Sequence, residues 1–131
     1  MDGHIDALIG ATIKRATFDK SDGCLYFDTD RGVFRGEPIG DCCACCYVQH
    51  VSGADALASG AVVTSTEDLD LPPVPDDEVS GTVTDNWGHR ITTTKGTCSI
   101  EMRVDHNGYY GGSLHLCIYD GDPEGGTLDD F

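Results

Sequence analysis

Positive charge is what this sequence has least of. Eight Lys and Arg stand against 23 Asp and Glu, a net charge of -15 over 131 residues. That field opposes non-specific attraction to a phosphate backbone or an anionic membrane, so long nucleic acids and membranes are excluded as expected partners. No apolar run approaches the roughly 20 residues a membrane span needs, and Met1 to Gly10 carries neither a basic leader nor an apolar stretch of signal length. The expectation is a soluble protein that stays in the cytoplasm. Aromatics are also scarce, at 8% with a single tryptophan, which makes any cluster of them informative. One chain of this length accommodates one domain with its own core.

Cysteine, by contrast, is plentiful. Seven are present, an odd number, four of them crowded into Cys42, Cys43, Cys45 and Cys46, and without an export signal they read as reduced thiols. Two overlapping Cys-x-x-Cys spacings followed by His50 make Cys42, Cys43, Cys45, Cys46 and His50 the candidate zinc ligands. A structural site usually needs two such pairs, whereas Cys24, Cys98 and Cys117 stand alone in β-prone segments as small buried hydrophobes. No cofactor is therefore expected, zinc remaining the alternative. A thioredoxin-like redox pair lacks its strand–loop–helix setting, and a thiol nucleophile with His50 as base lacks a third orienting residue. The plainer reading is a tightly packed corner in which Asp41 caps a turn.

The pattern of β-branched residues and turns predicts a mainly β fold with short helices, an α+β domain built as an antiparallel meander. Asp6-Ala7-Leu8 with Gly10-Ala11-Thr12-Ile13 is echoed by Asp55-Ala56-Leu57 with Gly60-Ala61-Val62-Val63, and Thr29-Asp30-Arg31-Gly32 leading to Arg35 by Thr93-Thr94-Lys95-Gly96 leading to Arg103. The echoes suggest an internal duplication in which each half is one helical turn, a strand and a hairpin. Helices are expected at Asp6–Ile9 and Ser52–Ser59, each closed by a glycine, with strands over Thr12–Phe18, Leu25–Thr29, Ala61–Glu67, Arg90–Thr94, Thr97–Val104 and Tyr109–Tyr119. Leu25, Phe27 and Thr29 alternate as a strand with one face inward. Residues 1–119 form the expected compact domain, interrupted by an acidic, proline-containing loop at 67–86. The Gly- and Asp-rich tail, 120–131, reads as disordered.

The second chemical motif runs from Arg103 through Asn107-Gly108-Tyr109-Tyr110-Gly111-Gly112. Asn-Gly makes a hairpin turn, Gly111-Gly112 lets something approach the backbone, the tyrosines offer rings that stack on a base, and Arg103 suits a pyrophosphate. Trp87 is either a core anchor or a stacking wall. His4, His89 and His115 have no metal-like spacing and receive no role.

Gly40-Asp41-Cys42-Cys43 followed by Tyr47-Val48-Gln49-His50-Val51, then the Thr-Lys-Gly hairpin, Arg103 and Asn107-Gly108-Tyr109-Tyr110-Gly111-Gly112, resembles a family of small phage proteins. It is similar to the sponge proteins by which phages counter the Thoeris defence system. The order of motifs spans about Leu8 to Leu116, with Ala44-Cys45-Cys46 and the acidic loop as departures. The resemblance implies a barrel-like domain assembling as a dimer or higher homo-oligomer in the host cytoplasm, with pockets near subunit contacts. It implies capture, without cleavage, of a small ligand of the cyclic ADP-ribose or cyclic nucleotide class. Carried onto this chain, the ligand-binding residues are Arg103, Asn107, Gly108, Tyr109, Tyr110 and Trp87, with no catalytic residue. The alternatives are an interaction or structural protein that docks its acidic loop on a host protein, and a zinc- or thiol-dependent hydrolase.

Overall fold

Nine antiparallel strands in two sheets carry the described chain. The computed structural model describes residues 3–40, 44–71, 83–106 and 111–131. Strands β1 (Ile13–Asp19), β2 (Cys24–Thr29), β3 (Gly32–Gly40), β8 (Gly112–Tyr119) and the short β9 (Gly126–Thr127) form one sheet in the order β8-β3-β2-β1-β9. Strands β4 (Cys45–Ser52), β5 (Val63–Asp70), β6 (Val83–Thr93) and β7 (Gly96–His106) form the other, in the order β4-β7-β6-β5. The mainly β expectation holds, but the two sheets do not close into a barrel. Among the described residues no helix is long and apolar enough to cross a membrane.

The two helices expected from sequence are single 3-10 turns, Ile5–Leu8 and Ala54–Leu57. Glycines in the left-handed region, Gly10 at φ 87° and Gly60 at φ 92°, follow too soon for an α-helix to propagate. Beyond each turn the chain repeats itself bond for bond. The Gly10 amide donates to the Val63 carbonyl and the Gly60 amide to that of Ile13, while Ile13 donates to Ala61 and Val63 to Ala11. These bonds surround one bridge, Thr12 to Val62, about which the halves are related by a local twofold. β1 meets β2 with a register shift between Ile13 and Arg15, and β5 meets β6 with the same shift between Val63 and Ser65. In the two hairpins Thr29 and Thr93 hydroxyls bond the Gly32 and Gly96 carbonyls, at 2.8 and 3.5 Å. The arginines do not share this relation, for Arg35 lies three residues beyond its hairpin glycine and Arg103 seven.

Each half then donates its last strand to the other. β4 follows β3 but pairs with β7, and β8 follows β7 but pairs with β3. The exchange explains β4, a strand where the cysteine-rich run suggested a packed corner: Val48 and Val51 fill the core while Cys45 and His50 face out. The core runs continuously through both halves, from Leu8, Ile13, Leu25 and Phe27 to Val63, Ile91, Ile100 and Met102, all at most 1% exposed. Each such side chain contributes about 1.5–3 kcal/mol relative to exposure.

Strands extend into both ends of the stretch expected as an acidic loop at 67–86. β5 runs to Asp70 and β6 starts at Val83, with Glu67 opposite Arg90 and Asp68 opposite His89. Cross-strand pairs neutralise acids that looked like loop residues. The tail is anchored too: Leu128 is buried, its amide donates to the Ala16 carbonyl, and Phe131 exchanges both backbone bonds with Val51. Its Glu124 lies against Tyr26 and Thr17 on the outer face, and with Tyr26 and Cys24 buried as well as Leu25 and Phe27 the expected one-sided strand is buried on both faces. The Tyr26 hydroxyl sits 2.7 Å from Asp22 and 2.8 Å from Glu124, and the Thr17 hydroxyl donates to the Glu124 carbonyl.

Asp130 fixes the tail's end by accepting the Ala54 amide at 2.8 Å. That bond, and a second from Gly53, hold its carboxyl below the usual 3.8. A group depressed on folding stabilises above its unfolded pKa, and this contribution is lost as pH falls through the lower folded value. Asp130→Asn should therefore flatten the loss of stability below about pH 4, seen as a smaller difference in urea midpoint between neutral and acid pH than in the wild type. Equal differences would detach Asp130 from the acid transition.

Candidate functional site

Alternation along β7 places Glu101, Arg103 and Asp105 together on the outward face of the second sheet, while Met102 and Val104 point into the core. Neighbouring strands add Tyr47 opposite Arg103 on β4, and Asn86 and Thr84 opposite Arg103 and Asp105 on β6. Arg103 Nε donates to Glu101 Oε2 at 3.1 Å, both side chains about three-quarters buried. Asp105 Oδ1 accepts the Thr84 hydroxyl at 2.7 Å and faces the Tyr47 hydroxyl at 3.4 Å. Burial first, then the Asp105 charge, pushes the Tyr47 phenol up and keeps it a donor. The result is a band in which a guanidinium alternates with two carboxylates on a rigid three-strand platform. An anion alone must compete with Glu101 for Arg103; a ligand presenting hydroxyl donors beside phosphate acceptors meets a partner at every position. Next to this band a cleft of about 220 Å³ is lined by His50, Leu69, Leu71, Arg90, Ser99 and Glu101.

Of the ligand-binding residues expected from sequence, Arg103 lies in this band. Trp87 does not: it is paired with Met102 on the inward face and packs against the core. Asn107, Gly108, Tyr109 and Tyr110 lie outside the described residues, as do Asp41, Cys42 and Cys43. Their anchors meet, since Gly40 pairs with Gly112 and Cys45 with Asp105. The glycines here serve protein packing. A Cβ on Gly112 would stand 3.0 Å from Cys46 Sγ, and one on Gly40 2.5 Å from the Ala44 carbonyl oxygen. What approaches the Gly-Gly backbone is the Cys46 thiol.

Among the described residues, Cys45 and Cys46 do not assemble with His50. Cys45 and Cys46 point to opposite faces of β4, and Cys45 and His50 pair with Asp105 and Glu101, four residues apart on β7 and so roughly 13 Å along the strand. Burial pushes the Cys46 thiol up to about 11, and those of Cys24 and Cys98 to about 12. Such thiols stay protonated at neutral pH and make poor nucleophiles.

A second polar set was invisible to residue spacing. His4, the cap of the first 3-10 turn, places Nε2 2.6 Å from Asp68 Oδ1, and His89 places Nδ1 3.1 Å from the same oxygen. The Asp6 amide donates to His4 Nδ1 at 3.2 Å, which leaves Nε2 as the protonated nitrogen facing Asp68. His89 is buried, and its Nε2 has no hydrogen-bond partner. Burial holds the His89 pKa down despite Asp68. For His4 burial works the same way, but the bond and charge of Asp68, with Asp6, outweigh it and raise the pKa. Desolvation would raise Asp68; the two histidines override it and hold it low.

A hollow of about 820 Å³ opens between Phe18 to Lys20 and the tail, and shares no lining residue with either polar set. It is lined by Phe18 and Phe131 together with Asp19, Lys20, Asp129 and Asp130.

Fold and sites together define a small, strand-exchanged, two-sheet antiparallel β protein with polar groups displayed on strand faces. The chain belongs to the family described as a domain of unknown function, DUF7448, whose model matches residues 6–116. That span takes in both halves from the first 3-10 turn to Leu116 and leaves out the tail. No curated protein and no solved structure matches the chain.

Proposed function

We propose that this protein captures a small nucleotide-type messenger of the cyclic ADP-ribose or cyclic nucleotide class and releases it chemically unchanged, as a phage counter-defence protein would. The observation that carries the reading is the alternation of Glu101, Arg103 and Asp105 beside Tyr47, Thr84 and Asn86. Ribose hydroxyls donate to the carboxylates, and a phosphate accepts from Arg103. High thiol pKa values at Cys24, Cys46 and Cys98 agree with capture rather than thiol attack. The messenger class, the phage setting, the host cytoplasm and assembly as a homo-oligomer rest on the sequence resemblance and belong to the same proposal.

The test is thermal unfolding against a panel of cyclic ADP-ribose isomers and cyclic oligonucleotides, followed by heat release and mass measurement. A ligand that binds only the folded state raises the midpoint. Intact ligand after release supports capture, altered ligand indicates an enzyme, and no shift with any member transfers the function to a protein partner. Arg103→Ala should weaken binding by about 2–3 kcal/mol, as expected for loss of a charge-assisted contact. A variant that folds normally and binds like the wild type would remove Arg103 from the site.

A further inference from the structure

We propose that His4 Nε2, Asp68 and His89 Nδ1 form a site for one divalent transition-metal ion of the zinc class, with its remaining position open to solvent. The three donor atoms all lie within 4.8 Å of one another. Zinc bonds of about 2.0–2.1 Å at tetrahedral angles set donors about 3.3 Å apart. The two distances to Asp68 Oδ1, 2.6 and 3.1 Å, need only small adjustments to reach that spacing. Two imidazoles and a carboxylate are the donor set that zinc-class ions take when a solvent position stays open. The His4 and Asp68 side chains are 44% and 67% exposed, and His89, at 8%, forms the inner wall.

The local twofold supplies a second, independent observation. In the first half the pair equivalent to Asp68 and His89 is Phe18 and Leu25, in the same register beyond the same bulge. The counterpart of His4 is Gly53, and the ring that packs on Phe18, at 5.1 Å, is Phe131. The fold therefore fills this place with hydrocarbon where it needs only packing. In the second half the same place holds three metal-ligating side chains from three separate segments. Neither stability nor topology requires that, and a buried imidazole with an unpartnered nitrogen disfavours it.

Proton placement follows from the ring surroundings. A neutral His4 that binds through Nε2 must move its proton to Nδ1, which gives up the Asp6 amide bond there and turns to Asp6 Oδ1, 3.4 Å away, as acceptor, the carboxylate–histidine–metal arrangement of supported sites. His89 bound through Nδ1 keeps its proton on the buried Nε2, which has no acceptor, and this keeps the affinity below that of a fully supported site. The ion would tie the N-terminal segment, bridged to β8 through Gly3 and Leu116, to β5 and β6 of the opposite sheet.

The experiment is titration of the chelator-treated full chain with Zn²⁺ by calorimetry, and with Co²⁺ by visible absorption, in the absence of nucleotide. One ion per chain, a rise in unfolding midpoint, and a cobalt spectrum without a thiolate charge-transfer band are expected. His4→Ala, Asp68→Asn and His89→Leu should each weaken binding at least tenfold. His89→Leu should keep or raise the metal-free midpoint, because Leu25 occupies that place in the other half. A thiolate band, or unchanged affinity in His4→Ala and His89→Leu, would place the ion on the cysteine-rich strand and overturn the site. So would no binding by the wild type at millimolar free ion. Because no nucleotide is present, these outcomes leave the capture reading untouched.

Discussion

Neither half of this chain should fold alone, and the two should fold when mixed. Cut between Ser52 and Gly53, the first piece keeps β1, β2 and β3 but loses β8, and with it Leu114 and Leu116 against β3. The second keeps β5, β6 and β7 but loses β4, leaving Ile100 and Met102 without Val48 and Val51. Each would expose an unpaired sheet edge and half of one continuous core, and chains of this length bury too small a share of their surface to tolerate that. The bridge between Thr12 and Val62 and the tail's bonds to Ala16 and Val51 also cross the cut. Each piece alone should show no cooperative unfolding and little amide protection. An equimolar mixture should recover both, with a midpoint that rises with concentration. A cooperative transition in either isolated piece would show that strand exchange does not govern stability.

The repeat was legible in sequence because it is written in backbone-special residues. Asp-Ala-Leu followed by glycine and the Thr-x-basic-Gly hairpins are set by turn geometry, which few residues satisfy, so they persist as visible echoes. The exchange was not legible. Which strand β4 or β8 joins is decided by long-range pairing, and a strand's apolar alternation is the same whichever sheet receives it. Apolar spacing over four residues does not separate a 3-10 turn from an α-helix, so the two short helices expected from sequence are 3-10 turns in the fold. The Gly and Asp content of the tail points to disorder. Its docking rests on backbone bonds and on one apolar residue, Leu128, which composition averages away.

The sites divide in the same way. Arg103 stands out by its chemistry, but its cross-strand partners Asn86 and Tyr47 lie 17 and 56 residues away and are fixed by register. Trp87 fell to the opposite face from Arg103 because cross-strand partners, not nearness in sequence, decide which face a side chain takes. His4 and His89 are 85 residues apart and meet only because β5 is an edge strand and the N-terminal segment crosses to it. Metal-like spacing is a property of short loops and helices. A set assembled by sheet topology carries no such signature.

Gly53→Ala should be among the most damaging single substitutions outside the core, costing about 3 kcal/mol. The two 3-10 turns are built alike, with the Ala7 amide donating to the His4 carbonyl and the Ala56 amide to that of Gly53. They are entered differently. His4 enters from the extended region at φ -85°, so a histidine is admissible there, whereas Gly53 enters from the left-handed region at φ 77°. A side chain at Gly53 first costs about 1 kcal/mol or more for that conformation. Its Cβ would also sit on the Thr97 carbonyl oxygen, a backbone atom at the start of β7 that cannot rotate aside. Gly60 isolates the first cost: at φ 92° a Cβ there meets only the end of Lys95, at 3.7 Å. Gly60→Ala should therefore lose about 1 kcal/mol and Gly53→Ala about 3, measured by urea unfolding with unchanged slopes. Equal losses would mean that conformation alone sets the penalty and that β7 yields to the new methyl group. The predicted gap requires β7 to hold the place where the second half enters its turn, the same place that His4 occupies in the first.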